Sequence, residues 1–296
     1  MDQFEGRVAV VTGAASGIGL GMARRFAREK MRVVLADIEE PALEEARVEL
    51  EKSGADVLAV RTDVSSAEAV QALAERAHEV YGKVHVLCNN AGVAGGAGGL
   101  GGIWQANDKD WQWVLGVNLM GVVHGLQAFV PRMLEHGEPG HIVNTSSILG
   151  VNTGNGSIYS VTKHAVTRLT EGLHVDLRAR KSEIGVSVLC PGLIATRIVT
   201  SGRNRPEHLR NETPGAPVDA IRERMAEAQK LFMEAGMPAD EVGDLVFDAI
   251  RTGRFYIFTH PELTKGVKNR MEDILNDRAP RLPRELMGLA GRGGSQ

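Results

Sequence analysis

The amino-acid sequence predicts an α/β protein built on an open, parallel β-sheet. Short apolar runs rich in β-branched residues, beginning with Arg7 to Thr12, alternate along the chain with longer segments of helical periodicity. Parallel strands require such crossovers, because each strand must return to the same end of the sheet before the next begins. A glycine-rich turn follows the first run and Asp37 follows the second. Residues of this kind beyond strand ends indicate a ligand site at the carboxyl edge of the sheet.

Length and composition favour one large globular unit and exclude some classes of protein. The 296 residues are 43% hydrophobic and 24% charged, with a formal net charge of -3, which argues against binding to nucleic acid or to a membrane surface. No uninterrupted apolar stretch reaches about 18 residues, and no basic region precedes a long apolar run at the N-terminus. Cys88 and Cys190 each end an apolar run. We expect both to be buried and unpaired, in a cytoplasmic protein.

The remaining strands and helices follow from the same two periodicities. Further strands are predicted at Arg32 to Ala36, Asp56 to Val60, Val84 to Cys88, Gly140 to Asn144, Ile184 to Cys190 and Arg254 to Thr259. Helices are predicted at Leu20 to Lys30, Ser66 to Tyr81, from Asp108 onward as one long apolar helix, Ser157 to Arg180 and Ala239 to Thr252. We find no internal repeat and no second domain boundary.

The turn after the first strand has the composition of a phosphate-binding loop. Gly13, Gly17 and Gly19 permit positive φ and close approach of a pyrophosphate, which the N-terminus of the following helix favours electrostatically. Ser16 and Ile18 lie in the same turn. The spacing is TGxxxGxG rather than GxGxxG, so the strand before and the helix after must support the interpretation. The alternative is a turn that only needs flexibility.

Asp37, 18 residues beyond Gly19, predicts the choice of dinucleotide. A carboxylate at the end of the second strand can accept hydrogen bonds from the adenosine ribose and repels a 2'-phosphate, so NAD is favoured over NADP. Neither the turn Ala14 to Ser16 nor Ile38 offers an arginine or lysine for that phosphate. The alternative is that Asp37 caps the helix that follows, with Pro41 in its first turn.

Two further strand ends extend the predicted cofactor site. Asp63 and Val64 follow the third strand and are candidates to contact the adenine ring, with capping and core packing as the alternative. Small residues after the fourth strand, Asn90, Ala91 and Gly92, allow the chain to pass close to the cofactor.

The segment Asn144 to Lys163 carries the residues predicted to perform the chemistry. Tyr159 and Lys163 are four residues apart, so a helix places both on one face, where an ammonium can lower the pKa of a phenol. Ser147 is a hydroxyl donor for the same reacting oxygen. A YxxxK pair alone also occurs by chance on solvated helices. Asn118, a polar residue within the long apolar helix, is either an interior amide tied to a backbone group or part of a proton relay.

A long insertion from about residue 200 to 236 is a natural lid over a substrate. Its charged first part, with Arg203, Arg205 and Arg210, is expected to be solvated surface, and Val218 to Glu234 is expected to form an amphipathic helix. Pocket walls are expected from Ala94 to Gly102, Gly150 to Ser157 and Leu193 to Met237, whose small and apolar residues suit a bulky, mostly apolar substrate. We assign one domain to residues 1–277, and expect the tail 278–296 to be poorly ordered or bound to a partner chain.

Taken together, these motifs resemble the short-chain dehydrogenase/reductase family over about residues 5 to 260, and their order and spacing make the resemblance specific. It implies a single doubly wound Rossmann-type domain with a seven-stranded parallel sheet of order 3214567. It also implies a catalytic tetrad of Asn118, Ser147, Tyr159 and Lys163, with Tyr159 and Lys163 also touching the cofactor. The segment Pro191 to Thr196 would adjoin the nicotinamide, through Pro191, Gly192, Ile194 and Thr196.

The resemblance also implies roles and a partner. Tyr159 would exchange a proton with a secondary alcohol or ketone, Ser147 would hold the same oxygen, and Lys163 would lower the tyrosine pKa and bind the nicotinamide ribose. Asn118 would hold a water that relays the proton. Family members are commonly tetramers, so a homotetramer or a dimer is expected.

Three other functions remain open from the sequence. An NADPH-driven ketone reductase conflicts with Asp37, and a non-catalytic NAD-binding protein of the same fold conflicts with the complete tetrad. A metal hydrolase is disfavoured because the histidines are scattered. His136 and His141, the nearest approach to a cluster, are expected to lie on a solvated turn, so no metal is assigned.

Overall fold

In the computed structural model of this chain, residues 1–95, 103–154, 156–211 and 218–281 are described, except for the side chains of 218–225. Their centre is a seven-stranded sheet of order β3-β2-β1-β4-β5-β6-β7, in which all neighbouring strands are parallel. The predicted fold class and strand order are confirmed. The strands are β1 Val8–Thr12, β2 Arg32–Asp37, β3 Val57–Arg61, β4 Val86–Asn89, β5 Gly140–Thr145, β6 Ile184–Cys190 and β7 Tyr256–Phe258.

Apolar side chains cover both faces of the sheet, which explains why its strands are continuous apolar runs. In β1, Ala9 and Val11 join the hydrophobic cluster on one face, and Val8 and Val10 join the cluster on the other. All five residues of the strand are buried. Because successive side chains of a strand point to opposite faces of the sheet, alternate residues of β1 belong to different hydrophobic clusters.

The helices pack in two layers on these faces. They are α1 Gly17–Arg28, α2 Glu40–Lys52, α3 Ala67–Tyr81, α4 Asp108–Leu115, α5 Gly121–His136, α6 Ile158–Ala179, α7 Val218–Ala235, α8 Ala239–Thr252 and α9 Lys265–Leu275. One cluster includes Met22 and Phe26 of α1 with Ile250 of α8. The other includes Leu73 of α3 and Phe129 of α5. Helices α1, α3, α5 and α8 each carry an apolar stripe, as their periodicity predicts, and each packs that stripe against one face of the sheet.

The long helix predicted from Asp108 is present, with one turn of π-helix at Gly116–Met120 between α4 and α5. Asn107 begins it with a capping box, in which its side chain accepts from the backbone N–H of Asp110. Within the described residues, Asp108–His136 is the single helix long and apolar enough to cross a membrane by length and composition. Polar residues such as Asn118 and His124 interrupt its apolar sequence, so the absence of a long apolar run did not indicate it. Part of this helix is buried in the protein, where Phe129 and Met133 pack on the sheet.

Both cysteines are free and buried, as predicted. The prediction of a solvated turn is wrong for His141, which is a buried residue of β5 with Nε2 at 2.7 Å from Ser187 Oγ. Burial lowers the pKa of His141 to about 3, so the ring is neutral. Among the described residues, no group of three or more His, Cys, Asp or Glu side chains is placed to hold a metal ion.

Candidate active site

Most of the predicted site residues lie at the carboxyl edge of the sheet, at or after the ends of β1 to β6, and the others lie in helical segments, namely Asn118, Tyr159 and Lys163. Strand order places β1 beside β4 and β4 beside β5, so the glycine turn, the loop after β4 and Ser147 lie next to one another. This arrangement is the crevice in which open parallel sheets bind ligands.

The glycine turn has the geometry that a dinucleotide phosphate requires. Gly13 and Gly17 have φ of +66° and +55°, and a Cβ on Gly19 would lie 2.0 Å from the carbonyl oxygen of Gly13. Only glycine fits at these positions. The first turn of α1 carries no acidic side chain, and its N-cap Ser16 makes no side-chain capping bond. The helix therefore presents free N–H groups and a partial positive charge to an anion, while Ile18 packs against the core.

Asp37 ties the glycine turn to the loop after β2. Its Oδ2 accepts from the backbone N–H of Ala15 at 3.0 Å, and its Oδ1 accepts from that of Glu39 at 3.0 Å. The N-cap of α2 is Glu39, so Asp37 is not the cap considered as an alternative. Burial raises the pKa of this carboxyl, against the effect of the two backbone bonds.

At the end of β3 the contacts are local. Asp63 Oδ1 accepts from the backbone N–H and the hydroxyl of Ser65, at 2.9 and 2.7 Å. Val64 is buried, and a Cβ on Gly121 would lie 2.8 Å from one of its methyl groups. The contacts of Val64 match the core packing weighed as its alternative, whereas Asp63 is not the helix cap, because Ser66 caps α3. An adenine contact for either residue stays a prediction.

The loop after β4 is fixed by Thr12, at the end of β1. The Thr12 hydroxyl accepts from the backbone N–H groups of Asn90 and Ala91, at 2.9 and 3.1 Å, and Asn90 Nδ2 donates to the Thr12 carbonyl at 3.0 Å. Thr145 of β5 donates to Asn90 Oδ1 at 3.2 Å. The asparagine thus joins three neighbouring strands. This holds Ala91 so close to Gly13 that a Cβ added to the glycine would lie 2.9 Å from the Ala91 Cα.

Ser147 and Tyr159 meet at the end of β5. Ser147 begins the 3-10 turn Ile148–Gly150, where its Oγ accepts from the backbone N–H of Leu149 at 3.1 Å. Its own proton is then available, and its side chain is close enough to the Tyr159 phenol to lower the pKa of that group. The neighbouring Ser146 instead donates to the carbonyl of Lys163 at 2.8 Å and is buried. The two adjacent serines therefore have different partners.

Lys163 lies beneath the tyrosine ring, one helical turn along α6. Its Nζ lies 5.5 Å from the centroid of the Tyr159 ring and donates to the carbonyl oxygen of Thr145 at 2.8 Å. A Cβ on Gly92 would lie 3.4 Å from both this Nζ and Asn118 Oδ1. The glycine therefore lets the loop after β4 pass close to both polar groups.

The predicted fall in the tyrosine pKa is not what this arrangement produces. Desolvation raises the pKa of the Tyr159 phenol, and the nearby Ser147 hydroxyl lowers it by less. Desolvation also lowers the pKa of Lys163 to about 8. Because the same burial removes water from both groups, the neutral forms of phenol and amine are favoured together. The expectation from the sequence rested only on attraction between the Lys163 ammonium and the Tyr159 phenolate, and it left out desolvation.

Asn118 lies in the π-helical turn and is fully buried. Its side chain is bonded to both backbone groups of Val93 and to the hydroxyl of Thr162, so it is an interior amide tied to the chain. A role in a proton relay stays a prediction.

The residues after β6 contact the loop after β5, the end of β7 and the glycine turn. The carbonyl of Pro191 accepts from the backbone N–H of Ile148 at 2.9 Å, and Gly192 N–H donates to Thr259 Oγ1 at 2.9 Å. Ile194 is buried. The Thr196 methyl group lies at the glycine turn, where a Cβ added to Gly17 would be 3.0 Å from it. The predicted nicotinamide segment and the predicted phosphate turn are thus in contact.

The charged part of the lid is not all solvated surface. Arg205 is buried and pairs with Asp110 of α4 at 2.6 Å, while its Nε donates to the carbonyl of Leu209 at 2.6 Å. Its guanidinium also lies 5.2 Å from the Trp113 ring centroid. The expectation for Arg205 is wrong, because Asp110 offers a buried partner that sequence distance concealed. The predicted lid helix is present as α7, and Gln229 anchors it to the Thr196 carbonyl at 2.9 Å.

Comparison with known proteins decides the family. Residues 7–207 match the model of the short chain dehydrogenases. The chain belongs to the short-chain dehydrogenase/reductase family. It is similar, at 45% identity and a TM-score of 0.89, to the structure of a family member from Burkholderia phymatum in complex with NAD, and the match covers 96% of this chain and 99% of that one.

Curated family members extend the comparison. The chain is 38% identical over 278 residues to a 1-deoxy-11-beta-hydroxypentalenate dehydrogenase from Streptomyces avermitilis, covering 94% of this chain and 92% of the relative. It is also 32% identical over 287 residues to a C alpha-dehydrogenase from a Sphingobium species, covering 95% and 89%. The chain is therefore an oxidoreductase of this family, with relatives that are dehydrogenases and reductases.

Several polar residues of the site were not predicted from the sequence. Thr12 positions the loop after β4, and Thr162 positions Asn118. The sequence could have indicated both, because Thr12 ends the strand before the glycine turn and Thr162 is next to Lys163. Ser201 accepts from the backbone N–H of Ala94 at 3.0 Å, and nothing in its local sequence indicates that contact. The predicted walls at 96–102, 155 and 212–217 and most of the tail 278–296 lie outside the described residues.

Proposed function

We propose that this protein is an NAD-dependent oxidoreductase that interconverts a secondary alcohol and a ketone. The observation that carries the proposal is that the Ser147 hydroxyl acts on the Tyr159 phenol, with the Lys163 amine near the same ring, at the edge of the sheet that holds the glycine turn. NAD, when bound, supplies the hydride acceptor for the alcohol or, when reduced, the hydride donor for the ketone.

The residues of this chain perform the rest of the reaction. Tyr159 takes the hydroxyl proton of the alcohol during oxidation and returns one to the ketone oxygen during reduction. Ser147 donates a hydrogen bond to that oxygen as charge develops on it. Lys163 stabilises the negative charge that the tyrosine acquires when it gives up its proton. Asn118 keeps the loop after β4 in place beside them.

Asp37 supports NAD over NADP, since its carboxylate lies between the glycine turn and the loop after β2, where a ribose 2'-phosphate would meet a like charge. The family member from Burkholderia phymatum has a structure with NAD. An NADPH-driven ketone reductase is the second candidate, and Asp37→Ala separates the two by comparing the affinities for both cofactors.

A bulky, mostly apolar substrate is supported by the surroundings of the tyrosine. Ile158, adjacent to Tyr159, belongs to an apolar cluster with Val93, Trp113, Val114 and Leu209. A Cβ added to Gly156, three residues before Tyr159, would lie 3.3 Å from Ile103, and the residue after Ile103 is the exposed Trp104. One relative takes its name from a hydroxypentalenate. A small, highly charged substrate has no counterpart among these side chains.

Contact between copies of this chain is supported by apolar side chains that α5 and α6 leave exposed, namely Leu134, Val161 and Val175. We propose a homo-oligomer, a dimer or tetramer, that covers them. A cytoplasmic location is proposed on the two unpaired cysteines.

The experiment is a panel of secondary alcohols, incubated with the purified protein and either NAD or NADP, with formation of the reduced cofactor as the readout. The proposal predicts turnover of apolar alcohols with NAD and much slower turnover with NADP. Tight binding of NAD without turnover of any alcohol, or of any ketone with NADH, would instead favour a non-catalytic NAD-binding protein. Faster turnover with NADPH would favour the ketone reductase.

A further inference from the structure

The 3-10 segment Ile198–Asn204, here called the strap, crosses the predicted cofactor crevice. At one point Ser201 Oγ accepts from the backbone N–H of Ala94, in the loop after β4, at 3.0 Å. At another, Arg203 and Asn204 bond to Glu39, in the loop after β2. Because β1 lies between β2 and β4 in the sheet, the strap spans the glycine turn that follows β1.

Glu39 binds the end of the strap that lies beside the loop after β2, where the adenosine ribose is predicted to bind. Its Oε1 accepts from Arg203 Nη2 at 2.5 Å and from Asn204 Nδ2 at 2.9 Å, and its Oε2 accepts from Arg203 Nε at 3.2 Å. A second guanidinium, that of Arg197, lies 4.0 Å from Oε2. One partly buried carboxylate therefore engages one arginine in a bidentate pair and holds another nearby.

The two guanidinium groups are next to the predicted ribose site. The backbone N–H of Glu39 donates to Asp37 Oδ1 at 3.0 Å, so the two acidic residues share one turn. An arginine near this position is the group that accommodates a ribose 2'-phosphate in dinucleotide-binding folds. Neither arginine is indicated by the local sequence, because the loop after β2 contains none and Arg203 lies 164 residues beyond Glu39.

We propose that Glu39 determines cofactor specificity by occupying Arg203, and by its proximity to Arg197, so that neither guanidinium can bind an adenosine 2'-phosphate. This inference rests on the proposed NAD site, and it adds a second acidic determinant to Asp37. Without the Glu39 charge, Arg203 has no carboxylate partner among the side chains that the structure describes, and it is placed to form charge-assisted hydrogen bonds to a phosphate.

The test uses two nucleotide probes that require no catalysis: adenosine 5'-monophosphate and adenosine 2',5'-bisphosphate, titrated calorimetrically into the full chain. Glu39→Gln is expected to strengthen bisphosphate binding by about fivefold or more, while monophosphate binding changes by less than about twofold. The matched control is Glu40→Gln, an exposed carboxylate one residue further along, which should leave both affinities unchanged.

A double-mutant cycle assigns the gain to Arg203. In the Arg203→Met background, Glu39→Gln should lose most of its effect on the bisphosphate. An equal gain in that background would show that Glu39 acts through repulsion alone and would overturn the proposal, as would no gain at all while monophosphate binding persists. Failure of the wild-type protein to bind either probe would overturn the proposed function together with this inference. Retained monophosphate binding in each variant shows that it is folded.

Discussion

Asn118 and Val93 are joined by two hydrogen bonds that satisfy both backbone groups of the valine. Asn118 Oδ1 accepts from the Val93 N–H at 2.8 Å, and its Nδ2 donates to the Val93 carbonyl at 2.9 Å. The same Nδ2 donates to Thr162 Oγ1 at 3.2 Å, and that hydroxyl donates to the carbonyl of Tyr159 at 2.8 Å. A single amide thus connects the loop after β4 with the helix that carries the predicted catalytic tyrosine.

Replacing Asn118 by leucine should destabilise the protein strongly. The change keeps the volume but leaves the Val93 N–H and carbonyl buried without partners, at about 1 to 3 kcal/mol each, so we expect a loss of about 2 to 6 kcal/mol in the free energy of unfolding. Urea denaturation measures it. The control Asn276→Leu, at an exposed helix end, should change this free energy by about 0.5 kcal/mol or less. Equal effects of the two substitutions would contradict this account.

The buried pair of Arg205 and Asp110 should respond differently to single and double substitution. Arg205→Met leaves the Asp110 carboxylate buried without a compensating charge, and the expected cost is about 3 to 5 kcal/mol of unfolding free energy. Adding Asp110→Asn removes that charge and should restore most of the loss. Urea denaturation of the wild type, both single variants and the double variant gives the coupling energy. Additive effects would show that the two side chains do not interact.

The depressed pKa of Lys163 predicts how stability varies with pH. The folded amine loses its proton at about pH 8, whereas the unfolded one holds it to about pH 10.4. Between these values the unfolded state binds more protons, so the lysine contribution to the free energy of unfolding rises with pH, and it is constant below about pH 8. From about pH 7.5 to about pH 9.5, the wild type should gain about 2 kcal/mol relative to Lys163→Met.

Parallel denaturation series at several pH values measure that difference. Lys52→Met, at an exposed lysine of α2, controls for the loss of one positive charge. A wild-type minus Lys163→Met difference that stays flat over the range, or falls, would show that the amine is not desolvated as the structure indicates.

The sequence predicts the parts of this protein that depend on local pattern. Each strand is an apolar run because both faces of the sheet are covered by helices. Asp37, Ser147 and Gly192 lie at or just beyond the carboxyl ends of strands, which is the edge where open parallel sheets bind ligands. The family resemblance supplied the strand order, which the structure has. Helix α1 starts at Gly17, three residues before the predicted start, because glycines in a helical first turn carry no apolar signal.

Long-range pairs and desolvation could not be predicted in this way. Arg205 and Asp110 are separated by 95 residues, and Arg203 and Glu39 by 164, so nothing local indicated either pair. The direction of the Tyr159 pKa depends on how much water the folded chain removes from the phenol, which spacing along a helix does not contain. The π-helical turn that carries Asn118 is likewise a product of tertiary packing.

The most direct measurement is the turnover of Tyr159→Phe on the best alcohol of the panel, together with its affinity for NADH. Phenylalanine keeps the ring above Lys163 but cannot take or give a proton. The account predicts that kcat falls by about a hundredfold or more while the dissociation constant for NADH changes by less than about threefold. The control Tyr256→Phe, at an exposed tyrosine bonded to Glu171, should leave both unchanged. Turnover of Tyr159→Phe at the wild-type rate would contradict the assignment of the proton transfer to this phenol.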